Sequence, residues 1–348
     1  MQTRDIIVVG ASAGGVTALK DFVKNLPKDF KGSVFVVLHI PAYSESELPA
    51  ILSYTGPLEA KHPKDGEKIE KGKIYVAPND HHMILEKNRV MIKKGPKENR
   101  FRPAIDALFR SAAYVYGARV IGIILSGVLN DGVSGIWTIK RLGGIAIIQE
   151  PADAEQPQMP LNVMEYVQPD YIVAASDMAP IVCGLVKEPA PAMQKVSAEE
   201  LERLKTEVLI ATRDNAFEMG IMRMGEFTPF TCPECHGAFV RLVEGNLIRY
   251  RCHTGHAYTA SALLAEVSES VENLLWQSMR GLEEMSMLLN NIGDLYENLK
   301  KPDAALLFHS KAKDNSERAR VIHDSVFRQA QYSEDIRLNK EREIQDKA

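Results

Sequence analysis

The stretch IIVVGASAGG, residues 6–15, decides the fold of the first half of the chain. Its run of β-branched residues predicts a strand covered on both faces, as strands between two layers of helices are. The small residues after it predict a tight turn, and helical spacing follows over residues 16–25. A strand, a glycine-rich turn and a helix in this order are typical of a parallel α/β sheet.

The same alternation continues to about residue 186. Apolar runs predict further strands at 34–38, 74–77, 120–125, 146–149 and 171–174. Two short runs at 83–85 and 90–92 predict an antiparallel hairpin. Helical spacing at 103–116 and 134–142 predicts covering helices, with Pro103 in a first turn. We therefore predict a doubly wound, mainly parallel α/β sheet with an antiparallel hairpin.

The composition excludes several partners. Lys and Arg number 42 against 46 Asp and Glu, and the net charge of −4 disfavours binding to nucleic acid. The apolar runs are far shorter than the roughly 20 residues of a membrane helix, and no basic and then apolar leader precedes Ile6. We expect a cytoplasmic protein that does not insert into a membrane.

Ser12 lies in the turn between the first strand and the first helix, in the spacing G-x-S-x-G. A sharp turn exposes a serine hydroxyl, and free N–H groups at the start of a helix stabilise an oxyanion. A glycine-rich turn of this kind also holds phosphates or dinucleotides. The dinucleotide pattern needs glycine at Ser12 and an acidic residue at the end of the second strand, and the sequence has neither.

Two further polar residues follow apolar strands. His39 ends the strand at 34–38, and Asp131 lies in the loop after the strand at 120–125. Taken singly, the histidine is typical of a structural residue and the aspartate of a turn or a helix cap. Because the carboxyl ends of parallel strands share one edge, Ser12, His39 and Asp131 together predict a nucleophile, a general base and an orienting carboxylate, with the histidine Nδ1–H facing Asp131.

Five motifs in order resemble the catalytic domain of the bacterial chemotaxis receptor methylesterases (CheB). They are GASAGG at 10–15, LHIP at 38–41, IYVAPND at 74–80, RPAIDALF at 102–109 and LSGVLNDG at 125–132. The resemblance covers about residues 5–186. It implies Ser12 as nucleophile, His39 as general base and Asp131 as the carboxylate of the triad.

The resemblance implies hydrolysis of glutamate γ-methyl esters on chemoreceptors or related signalling proteins, with release of methanol, and deamidation of receptor glutamines in addition. The resemblance also implies that catalysis needs no cofactor. The oxyanion is expected at the backbone N–H groups of Ala13 and Gly14, and Val128 stands where the family commonly has a methionine linked to that site. The first strand begins about five residues from the start of the chain, so we expect a stand-alone form without a receiver domain. The alternative is a catalytically silent adaptor that uses this fold to bind a receptor.

Three of the four cysteines crowd into one segment. Cys232 and Cys235 form a C-x-x-C knuckle, and Cys252 is followed by His253 and His256. This spacing predicts a tetrahedral, structural zinc site, with strands at 239–242 and 247–250 as a ribbon between the knuckles. Similar segments in relatives carry R-C-x-x-G-H, which favours His256 over His253 as the fourth ligand. Cys183 stands apart and is expected to be buried.

The second half of the chain is predicted as a series of smaller segments. A linker and a helix occupy 187–224, where the helix is opened by a Ser197 capping box and ends near residue 214. The zinc ribbon occupies 225–258. An α-helical hairpin at 259–332 follows, broken at 301–303, with a flexible tail at 333–348. Its first helix is expected to bury one apolar stripe, and the hairpin leaves dimerisation or partner binding open. The stripe comprises Leu263, Leu264, Val267, Val271, Leu274, Leu275 and Leu282.

Overall fold

The computed structural model describes residues 2–40, 46–212 and 216–328. The chain divides into two compact units, Met1–Leu263 and Leu264–Ala348. None of the described helices is long and apolar enough to span a membrane.

A seven-stranded sheet forms the centre of the first unit. All its neighbouring strands are parallel, in the order β10-β9-β8-β1-β2-β5-β3. A smaller antiparallel sheet, β4-β7-β6, contains the predicted hairpin. The strands of these two sheets are β1 Ile6–Ala11, β2 Ser33–Leu38, β3 Glu59–Lys61, β4 Glu67–Lys68, β5 Lys73–Val76, β6 His82–Glu86, β7 Arg89–Lys93, β8 Val120–Ile124, β9 Ile145–Gln149 and β10 Tyr171–Val173.

Helices cover both faces of the parallel sheet. Alternate residues of β1 enter two separate cores: Ile7 and Val9 pack into one, and Ile6 and Val8 into the other. This arrangement confirms the predicted α/β class and explains why the strands are apolar on both faces. The helices are α1 Gly15–Val23, α2 Leu48–Thr55, α3 Ile105–Tyr116, α4 Val133–Arg141, α5 Gln158–Tyr166 and α6 Ala175–Leu185.

Prolines account for the main differences from the predicted helices. Pro103 does not lie in the first turn of a helix: Ala104 is still extended, and α3 begins at Ile105. The helix α6 contains Pro180, and α5 has Pro160 near its start. Because proline lowers intrinsic helix propensity, the sequence pattern alone did not predict these two helices. They form because they pack against the sheet.

The predicted capping box begins the next helix, α7 Ala198–Thr212. The Ser197 hydroxyl accepts a hydrogen bond from the Glu200 N–H at 3.1 Å, as an N-cap does. The predicted end of this helix near residue 214 lies outside the described residues.

An antiparallel sheet of four strands follows, in the order β11-β12-β13-β14. Its strands are β11 Glu226–Thr231, β12 Ala238–Glu244, β13 Leu247–Cys252 and β14 Ala257–Thr259. The predicted ribbon corresponds to β12 and β13, which meet at a turn where Gly245 has φ +60°. The outer strands were not predicted because β11 is largely exposed and β14 has only three residues.

Two helices, α8 Ala260–Asn298 and α9 Pro302–Arg328, make up the described part of the second unit, apart from the first residues of α8. The prediction that the apolar stripe of α8 is buried is wrong for most of its residues. Leu264, Val267, Val271 and Leu274 are exposed, and Leu274 is 58% accessible. Small residues at a seven-residue spacing line the contact between the helices instead, namely Ala305, Ala312 and Ala319, and Ser286 bonds to the Ala312 carbonyl. The predicted tail at 333–348 lies outside the described residues.

Candidate active site

Strand register brings Ser12 and His39 to the same edge of the sheet. Ala11 pairs with Leu38 at the ends of β1 and β2, so the next residues on these strands are neighbours. The His39 N–H donates to the Ala11 carbonyl at 3.1 Å, and the Ser12 N–H donates to the Ser126 carbonyl at 3.0 Å. The loop after β8, which carries Asp131, therefore starts beside Ser12.

The imidazole of His39 faces the carboxylate of Asp131. Its Nε2 lies 2.9 Å from Asp131 Oδ2, and the two side chains are 3% and 0% exposed. The sequence prediction placed Nδ1 on this side, which is wrong: the ring stacks on Phe101 at 3.6 Å between centroids, with its Nε2 edge toward the carboxylate. Nδ1 is buried without a hydrogen-bond partner among the described residues.

Asp131 lies at the N-terminus of α3. Its Oδ2 accepts the Ile105 N–H at 2.6 Å, and its Oδ1 accepts the Asp106 N–H at 3.1 Å. The side-chain amide of Asn99 also donates to Oδ1 at 3.2 Å. Free N–H groups at a helix N-terminus stabilise a negative charge, so α3 and Asn99 hold the carboxylate beside His39.

Asp106, at the start of α3, binds the N-terminus of α4 in the same way as Asp131 binds the N-terminus of α3. Its Oδ1 accepts the N–H groups of Gly132 at 3.0 Å and Gly135 at 2.7 Å, and its Oδ2 accepts the Asn99 amide at 3.0 Å. Burial of the carboxyl and the negative charge of Asp131 raise the pKa of Asp106 to about 7. Sequence reasoning gave no role to Asp106, Asn99 or Phe101. Asp106 stands within the RPAIDALF motif, whereas nothing in the sequence pattern marks the other two residues.

Unbonded N–H groups lie beside the serine. Among the described residues, the N–H groups of Ala13, Gly14 and Val128 donate no hydrogen bond, whereas the Ser12 N–H donates to the Ser126 carbonyl and the Gly15 N–H to the Ser12 carbonyl. Gly14 has φ +72°, a conformation that favours glycine. These three predicted residues therefore present donors at the same edge of the sheet as Ser12, which is 9% exposed.

The second candidate site lies in the four-stranded sheet. The Sγ atoms of Cys235 and Cys252 are 3.6 Å apart, and His256 Nδ1 lies 3.6 Å from the Sγ atoms of both Cys232 and Cys252. All four ligand atoms lie within 4.8 Å of one another. A tetrahedral zinc ion with Zn–S bonds of about 2.3 Å and a Zn–N bond of about 2.0 Å sets ligand atoms roughly 3.5–3.8 Å apart, so the donor set fits this metal.

Contacts around the cluster distinguish the two histidines. The ring of His253 packs over Gly237, where an added Cβ would lie 2.0 Å from its Nδ1, and it is not part of the cluster. The Nε2 atom of His256 lies 3.6 Å from a carboxylate oxygen of Glu234. The Thr254 hydroxyl lies 2.9 Å from the Sγ atoms of Cys235 and Cys252. The half-buried Cys183 lies in α6, apart from this group.

Comparison with known proteins identifies the family. The family model described as CheB methylesterase matches residues 7–182, about half of the chain. The chain belongs to this family. A putative protein-glutamate methylesterase/protein-glutamine glutaminase of Leptospira interrogans is 36% identical over 182 residues, which are 52% of this chain and 94% of that protein.

A second relative, from Thermotoga maritima, is a protein-glutamate methylesterase/protein-glutamine glutaminase. It is 34% identical over 174 residues, which are 49% of this chain and 51% of that protein. Among solved structures, the crystal structure of the Thermotoga maritima CheB methylesterase catalytic domain matches with a TM-score of 0.51 and 32% identity. That match covers 53% of this chain and all of the solved domain.

Proposed function

We propose that the chain is a protein-glutamate methylesterase. It hydrolyses glutamate γ-methyl esters on chemoreceptors or related signalling proteins to glutamate and methanol. The observation that carries this proposal is the buried His39–Asp131 pair at the strand edge that also presents Ser12. The names of the relatives from Leptospira interrogans and Thermotoga maritima support the substrate class.

The reaction has two steps, the formation of an acyl-enzyme on Ser12 and its hydrolysis by water. His39 Nδ1 takes the Ser12 proton as Oγ attacks the ester carbonyl, and the protonated imidazole is stabilised by Asp131 through Nε2–H. The C–O bond to methanol then breaks, and methanol leaves with the proton from His39. Water repeats the sequence on the acyl-enzyme: His39 takes its proton, the bond to Ser12 breaks, and the serine is restored.

Backbone donors hold the developing oxyanion. The unbonded N–H groups of Ala13, Gly14 and Val128 supply these donors. Each well-placed donor contributes on the order of a hundredfold or more in rate. Because these are backbone groups, the absence of a methionine at Val128 leaves this contribution in place.

The same site deamidates receptor glutamines in this proposal. A glutamine differs from the ester in its leaving group, which is ammonia and needs the proton that His39 carries after the first step. The names of both relatives include a glutaminase.

A phosphate site at the same turn is disfavoured by charge. The carboxylate of Glu155 lies against the turn, since a Cβ added at Gly14 would meet its Oε2 at 3.0 Å. A phosphate held there would meet this negative charge.

Methanol release tests the proposal. The protein is incubated with methyl-esterified chemoreceptor membranes, alongside Ser12→Ala and the control Ser176→Ala, whose serine lies on α6. We expect release by the unaltered protein and the control, and at least a thousandfold loss in Ser12→Ala. Release by Ser12→Ala at the unaltered rate would remove Ser12 from the mechanism, and no release by the unaltered protein would indicate an adaptor.

We infer further that Cys232, Cys235, Cys252 and His256 hold a structural zinc ion. Four protein ligands close the coordination sphere, so the metal stabilises the four-stranded sheet and leaves no open position for a substrate. The ligand spacing and the Glu234 carboxylate behind His256 support this inference.

Metal analysis of cysteine variants tests the zinc site. We expect one zinc per chain in the unaltered protein and in Cys183→Ser, and loss of zinc in Cys232→Ser. Full zinc content in Cys232→Ser would contradict the ligand assignment.

A further inference from the structure

A tight turn at residues 97–101, the positioning turn, lies between the two candidate sites. Glu98 and Phe101 exchange backbone hydrogen bonds of 3.2 and 2.9 Å across it. Asn99 and Arg100 both have positive φ angles, 48° and 76°. The turn therefore has a defined conformation.

One side of the positioning turn contacts the catalytic residues. The Asn99 amide nitrogen donates to Asp131 at 3.2 Å and to Asp106 at 3.0 Å. Phe101 stacks on the His39 ring at an interplanar angle of 5°. Two members of the predicted triad are thus held by this one turn.

The other side of the turn contacts the four-stranded sheet. The Asn99 N–H donates to the Ala257 carbonyl at 2.7 Å, and the Ala257 N–H donates to the Lys97 carbonyl at 3.3 Å. The Thr259 N–H donates to Asn99 Oδ1 at 3.0 Å. Strand β14 therefore binds both the backbone and the side chain of the turn.

The bond from Thr259 decides which end of the Asn99 amide faces the carboxylates. Its N–H needs an acceptor, so the oxygen of the amide points to β14 and the NH₂ group points to Asp131 and Asp106. The reversed amide would set an oxygen against two carboxylates. The four-stranded sheet thus selects the orientation that stabilises the charge of Asp131.

Buried ion pairs fix the turn to the same sheet. Glu98 pairs with Arg110 of α3 at 3.1 Å and with Arg251 of β13 at 2.8 Å. Arg251 also pairs with Glu207 of α7 at 3.0 Å. All four side chains are at most 2% exposed, so displacing the sheet would leave charges buried without partners.

A second contact reaches the loop that carries Asp131. The side-chain amide of Asn130 donates to the hydroxyl of Ser261, just after β14. Residues 225–263 lie beyond the range that the family model matches. The contacts to Asn99 and to Asn130, the residue before Asp131, therefore come from a part of the chain outside the range that the family model matches.

We propose that the four-stranded sheet completes the esterase site, with Asn99 as the positioning residue that transmits its contact to Asp131. This inference rests on the proposed methylesterase function. In this proposal, residues 225–263 form part of the active site.

The variant Asn99→Asp tests the proposal, because it keeps the oxygen that accepts from Thr259 and removes the donor to Asp131. The control Asn25→Asp makes the same change at an exposed asparagine whose side-chain amide donates to two backbone carbonyls. We expect kcat for methanol release to fall about tenfold or more in Asn99→Asp, with KM within about twofold. We also expect the NMR resonance of the His39 Nε2 proton to shift, and the control to match the unaltered protein in both readouts.

Hydrogen exchange of the unaltered protein gives a test that needs no variant. The Thr259 N–H and the Ile105 and Asp106 N–H groups are expected to exchange with similar protection, because the sheet and the Asp131 contact open together. Exchange of Thr259 a hundredfold or more faster than the other two would overturn the coupling.

The outcomes separate this proposal from the proposed function. Absence of methanol release by the unaltered protein overturns the methylesterase assignment. Release by the unaltered protein, with unchanged kcat and an unchanged His39 signal in Asn99→Asp, overturns the role of Asn99 alone.

Discussion

The parallel sheet and the four-stranded sheet of the first unit are stabilised in different ways. The strands of the parallel sheet are apolar on both faces and pack into two hydrophobic cores. The four-stranded sheet has a small apolar cluster around Cys232 and Phe239, and it buries Arg249 and Arg251 against Glu98 and Glu207.

This difference teaches what each region contributes. Apolar burial stabilises a fold with little demand on geometry. Buried ion pairs add little net stability but demand that every partner is in place. The second region therefore fixes positions, among them the position of the turn that contacts the predicted triad.

The largest expected effect comes from breaking the buried network. Arg251→Leu leaves Glu98 and Glu207 with fewer partners in a buried environment, and we expect the free energy of unfolding to fall by about 3–5 kcal/mol. The matched control is Arg241→Leu on β12, where Arg241 pairs with Glu226 at the surface and the expected loss is under about 1 kcal/mol. Denaturant unfolding measures both. Equal losses would erase the contrast between the two kinds of pair.

A smaller effect is expected from acid. Burial alone would raise the pKa of Glu98, but the charges of Arg110, Arg251 and Arg249 outweigh burial and hold the pKa well below its ordinary value of 4.5. A lowered carboxyl pKa stabilises the fold above pH 4.5, and this contribution is lost as the pH falls further. We expect the free energy of unfolding to drop by about 1 kcal/mol or more between pH 4.5 and 3.5.

The comparison for the acid effect is Glu98→Gln, which removes the titrating group. Its free energy of unfolding is expected to be lower at pH 7 and to change less between pH 4.5 and 3.5. An equally steep acid dependence in this variant would show that the loss arises elsewhere.

The smallest effect is expected in the apolar region. Ile123→Val removes one methylene from the buried centre of β8, and we expect a loss of about 1 kcal/mol. Zinc content and kcat are expected to stay unchanged, because no contact of the positioning turn is altered. A fall in zinc content in this variant would indicate that the two regions are not stabilised separately.

The sequence predicted the parallel sheet and the loops that carry Ser12, His39 and Asp131, because long apolar runs and strand-end turns are local signals. It did not predict Asn99 as a partner of Asp131. That role depends on Thr259, which is 160 residues away, and no local pattern encodes such a contact.

The helical hairpin shows the opposite case, in which a clear pattern was misleading. Apolar residues such as Leu264 and Leu274 repeat with helical spacing, yet they are exposed. The packed surface of α9 uses alanines at positions 305, 312 and 319, whose small side chains carry a weak hydrophobic signal.

Labelling with a serine-directed fluorophosphonate tests the central claim, an activated Ser12, most directly. Intact mass and peptide mapping are expected to show one adduct per chain, on Ser12, with labelling at least a hundredfold slower in His39→Gln because the imidazole no longer takes the hydroxyl proton. Labelling of Ser12 at the same rate in His39→Gln, or an adduct at another residue, would contradict the account.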